Sequence, residues 1–104
     1  MPKDKGPDNK IIRELIEEAS EEAVVNVDGV SQVLDIKLDG DPDAKTVDMK
    51  IYINVVYGYK IPAVSWDVQN AVKIAVRTVT GYDAKTIDIH IQGVDKAALK
   101  GKDK

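Results

Sequence analysis

Between Ile61 and Gly81 the chain carries a helix whose two ends are both written into it, and a strand pattern flanks it on each side. Pro62 suits a first helical turn because its missing N–H has no intrahelical partner there, and it pushes Ile61 towards an extended conformation. Val64, Val68, Ala71, Val72, Ala75, Val76 and Val79 then recur at steps of three and four, the spacing of one apolar face. Asp67 lies towards the positive end of the helix dipole and Arg77 towards the negative end. Gly81 supplies a left-handed stop. Upstream, Thr46 to Tyr57 alternates, with Val47, Met49, Ile51, Ile53, Val55 and Tyr57 on one face and Asp48, Lys50, Tyr52 and Asn54 on the other. Downstream, Ile87, Ile89 and Ile91 alternate with Asp88, His90 and Gln92 as far as Gly93.

The first half supplies the other elements. Asp8 or Asn9 can cap a helix whose apolar residues Ile12, Leu15, Ile16, Ala19 and Ala23 share a side, opposite an acidic side of Glu14, Glu17, Glu18, Glu21 and Glu22. Asp28-Gly29 ends it. Val30 to Leu38 reads as a half-buried strand with Leu34, Ile36 and Leu38 inward, and the turn-rich Asp39-Gly40-Asp41-Pro42-Asp43 joins it to the next strand as an antiparallel hairpin. The expected fold is α+β: a two-layer sandwich in the order α-β-β-α-β, with a three-stranded sheet carrying both helices on one face. The alternation does not say whether the last strand lies beside the first or the second. The 104 residues suffice for one domain, read as residues 9–94 between a flexible tail at 1–8 and a lysine-rich tail at 95–104.

Charge and composition exclude several functions. A net charge of -3, with acids and bases interspersed, gives no basic footprint for nucleic acid. The absence of cysteine removes thiol catalysis, disulfides and thiolate metal sites, and suits a reducing cytoplasm. No apolar run approaches the ~20 residues of a membrane span, so direct membrane insertion is not expected.

Catalytic and ligand motifs fare poorly. Asp39, Asp41 and Asp43 match the opening of a calcium loop, but Ala44 stands where the sharp turn needs glycine and Lys50 where a bidentate Glu is needed. His90, the single histidine, has Asp88 and Gln92 beside it on the strand but no partnered nucleophile and no metal cluster. The aromatic corner Tyr57-Gly58-Tyr59, with Tyr52 and Trp66, could stack on bases, yet the charges argue against RNA and no dinucleotide or phosphate-loop fingerprint is present. No catalytic residue, cofactor or metal is expected.

Contact surfaces remain. Trp66 and Ile74 lie off the valine stripe, with Asn70, Lys73 and Arg77 near them, a composition like that of interface centres. A second candidate is the polar sheet face around Tyr52, Asn54, His90 and Gln92.

Val55-Val56-Tyr57-Gly58, Ile61-Pro62, Val68-Gln69, Val72-Lys73, Thr80-Gly81 and Ile89-x-Ile-Gln92-Gly93-Val94 together resemble the alkaline shock protein family of Gram-positive bacteria, which includes the Gls-type general stress proteins. Gly29-Val30 is similar to that family's Glu-Gly-Val turn, with Asp28 in place of the Glu. The resemblance covers about Ile11 to Val94. It implies a non-enzymatic, cytoplasmic, self-associating protein of general stress and cell-envelope homeostasis, with protein partners that include membrane-anchored ones. It also implies an alternative, a regulator that binds a lipid-synthesis enzyme. A small RNA-binding module is the third and weakest option.

Overall fold

The computed structural model describes residues 5–41 and 44–96, with side chains at 10–40 and 44–96. Five elements follow in the order expected: α1 (Lys5–Val25), β1 (Val30–Asp41), β2 (Thr46–Val56), α2 (Ile61–Thr80) and β3 (Asp83–Asp95). The fold is α+β, a three-stranded sheet with two helices on one face. Helix α1 starts at Lys5, ahead of the expected caps Asp8 and Asn9 and inside the segment read as a tail. Strand β3 ends at Asp95, the first residue of the other expected tail. Residues 1–4 and 97–104 of the two tails, and Pro42 and Asp43 of the hairpin loop, lie outside the described residues.

The sheet order is β1-β2-β3, so β2 is central. β1 pairs with it antiparallel and β3 parallel, which makes β2-α2-β3 a crossover unit. Position decides burial. Val47, Met49, Ile51, Ile53 and Val55 of β2 are nearly or wholly inaccessible, whereas Ile87, Ile89 and Ile91 on edge strand β3 are only half-buried. Facing them, Val64, Val68, Val72 and Val76 of α2 form the buried stripe, joined by Ile16 and Val24 of α1.

Several side chains depart from the simple periodicity. Val33 and Asp35 pair with Ile53 and Tyr52, which leaves Leu34 as a bulged residue between them. Val33, Ile36 and Leu38 therefore pack on the core, and Leu34 is exposed. Tyr57 leaves the β2 pattern and turns outward, Val56 being buried instead, and Val79 sits beyond the end of the stripe, exposed. On α1 the buried positions are Ile16, Ser20 and Val24, while Leu15 is exposed. The Ser20 hydroxyl has no hydrogen-bond partner among the described residues. Ser20→Ala removes an unmatched polar group and improves helix propensity, so it should raise stability by about 1 kcal/mol in urea unfolding.

The corners show why the short motifs are needed. Gly81 adopts φ 81° and its N–H donates to the Arg77 carbonyl at 2.9 Å. Thr80 Oγ1 donates to the Val76 carbonyl at 2.7 Å and accepts the Tyr82 N–H at 3.1 Å, so Thr-Gly closes the helix from both sides. At the other end of the sheet, Gly29 (φ 97°) lies under the Tyr59 ring and against Val64.

Candidate interaction site

The outer flank of α2 carries Trp66 and Ile74, 62% and 66% exposed, on the same helix whose opposite side is fully buried. They lie eight residues apart, close to two turns, so they fall on one side of the cylinder, with Asn70 between them. Asn70 and Lys73 are exposed beside them and help line a groove between α2 and the start of β3. Arg77, at the lower end of this flank, is engaged: its Nη1 is 2.9 Å from Asp83 Oδ1. Both groups are largely exposed, so this pair adds under about 1 kcal/mol to stability and mainly fixes the side chain in place. Five residues singled out from the sequence, Trp66, Asn70, Lys73, Ile74 and Arg77, thus form one surface.

The open face of the sheet gathers its candidates less completely. Tyr52 and His90 are register partners on β2 and β3. Their rings stack at 4.7 Å between centroids and 14° between planes, and Lys37 Nζ stands 5.8 Å from the Tyr52 centroid. Stacking, rather than Asp88, holds the histidine: Asp88 pairs with Lys50 in register, and His90 Nε2 has no hydrogen-bond partner among the described residues. Gln92 sits at the irregularity where Ile91 pairs with Ile53 and Gly93 with Asn54, so it is displaced from the stack. Like charges lie opposite each other on β1 and β2, Asp39 with Asp48 and Lys37 with Lys50, while across to β3 Asp48 meets Thr86 and Lys50 meets Asp88.

Asn54 belongs to a different grouping. Its Nδ2 donates to Asp95 Oδ2 at 3.3 Å, and Ser31 Oγ donates to the same oxygen at 2.5 Å. The Asp95 carbonyl accepts the Tyr57 N–H at 2.6 Å. One residue therefore ties together β1, β2 and the Tyr-Gly corner at the end of the sheet. A Cβ at Gly93 would lie 3.1 Å from Asn54 Oδ1, so the glycine of Gln-Gly-Val leaves room for the amide that meets Asp95. Sequence reasoning missed Ser31 and Asp95. The available signal was that each directly follows a Gly-Val pair, Gly29-Val30 and Gly93-Val94.

Among the described residues no group of three or more His, Cys, Asp or Glu side chains is arranged to hold a metal ion. No described helix is long and apolar enough to cross a membrane.

Solved structures of the MamM CTD have the same fold: TM-score 0.56 at 16% identity, covering 78% of this chain and 96% of theirs in one case, 98% in another. Over 49 residues the chain is 35% identical to an uncharacterized protein of Streptococcus pyogenes serotype M6, Spy1535. That match takes in 47% of this chain and 38% of the relative, so the chain spans well under half the length of the curated protein it matches. Residues 12–96, which hold every motif from the Asp28-Gly29-Val30 turn to Gln92-Gly93-Val94, match the model of one protein family. The chain belongs to the alkaline shock protein 23 family, whose function is cell envelope-related.

Proposed function

We propose that this protein serves the cell envelope under stress as a non-enzymatic interaction module, binding a protein partner through the outer flank of α2. The observation that carries this is Trp66. A large aromatic ring, 62% exposed, projects from the second turn of a helix whose other face is locked into the core. Exposed tryptophan beside aliphatic and basic side chains is the composition of interface centres, where a few such residues supply most of the binding energy. Self-association and a membrane-anchored partner are the two forms of contact the family resemblance suggests. In the first a second copy covers the flank; in the second the protein is held beside the membrane from the cytoplasm without inserting into it.

Trp66→Ala separates the folding role of the ring from the binding role. Removing a half-exposed ring on the surface should change the melting free energy by less than about 1 kcal/mol. Loss of an interface anchor should weaken association by more than about thirtyfold. Sedimentation of the purified chain and affinity capture from a native lysate read the second quantity, and thermal melting reads the first. Unchanged association in both measurements would overturn the proposal.

A further inference from the structure

Among the described residues strand β3 has one sheet neighbour, β2, so one side of its backbone lacks a ladder partner there. Such edges are templates for another strand, and proteins blunt them with bulges, charge or cover. Here the blunting is at the ends: Lys85 and Gln92 fall at register irregularities, which leaves Thr86 to Ile91 regular. Within that stretch the Gln69 side chain reaches over from α2 and donates to the Ile87 carbonyl at 2.9 Å. A strand residue directs its N–H and C=O to the same side, so this bond marks Ile87, Ile89 and Ile91 as the residues whose main-chain groups face the free edge.

Those three isoleucines are also half-buried, so the helix layer stops short of covering them. From Ile87 back to Ala84, at the start of β3, a groove of about 310 Å³ separates the strand from the outer flank of α2, with Trp66 in its wall. Its charged lining residues are Lys73 and Lys85, with no acid among them, although the chain as a whole is acidic. The neighbouring Arg77 is taken up by Asp83. A backbone edge without a strand partner, its Ile87 carbonyl held by the Gln69 side chain, thus lies next to half-covered aliphatic surface and a cationic end.

We propose that the free edge of β3 takes up an extended peptide segment of a partner protein by strand addition, with apolar side chains against Trp66 and the isoleucines, and carboxylates at the Lys73–Lys85 end. Main-chain hydrogen bonds supply affinity in this mode, and the side-chain pockets supply selectivity. The inference rests on the reading of the α2 flank as a contact surface and specifies what lies against it.

The test uses the full chain and two labelled octapeptides, Asp-Asp-Thr-Ile-Thr-Ile-Thr-Val and its reverse sequence, which place the acids at either end. One of the two should bind, and replacing both aspartates with lysine should weaken it by about tenfold or more. N-methylation of one alternate set of peptide amides, the set facing β3, should weaken binding by about tenfold, while the other set leaves it unchanged. Hydrogen exchange should slow at Ile87, Ile89 and Ile91. Absence of binding by both peptides, equal binding by both N-methylated sets, or protection along β1 instead would overturn the proposal. A dimer that neither peptide dissociates would overturn it too, assigning the edge to a second copy. If Trp66→Ala abolishes partner capture but peptides give none of these signatures, strand addition fails and the contact surface stands; if Trp66→Ala leaves capture intact, the surface itself fails.

Discussion

Gly29→Ala should destabilise this domain by about 3 kcal/mol, through two causes that add. The backbone at Gly29 has φ 97°, a region that costs a residue with a Cβ about 1 to 2 kcal/mol. The added methyl would also stand 2.7 Å from Val64 Cγ2 and 2.8 Å from Tyr59 Cδ2, and relieving such overpacking costs about 1 to 3 kcal/mol more. Gly58→Ala separates the two terms. Its φ is 100°, but an added Cβ would meet nothing within 4 Å, so only the backbone cost of about 1 to 2 kcal/mol should remain. Chemical denaturation of both variants checks the difference. Equal losses would show that the contact between the Gly29 turn, Tyr59 and α2 has no energetic weight.

Ile51→Ala should cost about 4 kcal/mol, within the range found when a fully enclosed isoleucine is truncated and its cavity persists. Ile51 has no accessible surface, sits mid-way along the central strand, and pairs in register with Ile36 on one side and Ile89 on the other. Rigid strands flank it and the helix layer covers it, so little can collapse into the space left behind. Val79→Ala, by contrast, should change stability by less than about 0.5 kcal/mol, although Val79 continues the same helical spacing as the valine stripe. Its side chain is half exposed beyond the last buried turn. Urea unfolding of the pair tests whether depth in the sandwich, rather than apolar periodicity, sets the energetic weight of a position.

The helix flank was legible because two large apolar side chains off the main stripe can be recognised from spacing alone. The sheet-face cluster was only partly legible. Tyr52 and His90 do meet, since each lies at an outward position of its own strand and the register happens to pair them. Gln92 does not join them, because a single extra residue in β3 re-phases everything after it. Asn54 turns to Asp95, 41 positions away along the chain, as Ser31 does from 64 positions away, and alternation carries no information about such contacts.

Local sequence by itself determined the kind and order of the elements: Pro62 and Gly81 bound α2, the valines set which of its sides turns inward, and strict alternation in β2 sets its buried face. Those features depend on backbone geometry within a few residues, and a chain expresses them wherever it folds. Tertiary structure alone decided that β3 lies parallel to β2 at the edge, that Leu34 is extruded, and that Asp95 fastens three segments together. Alternation specifies which face of a strand is apolar but not which strand lies beside it; that choice comes from how the crossover helix packs and which edges remain open, energies shared by residues far apart in the chain.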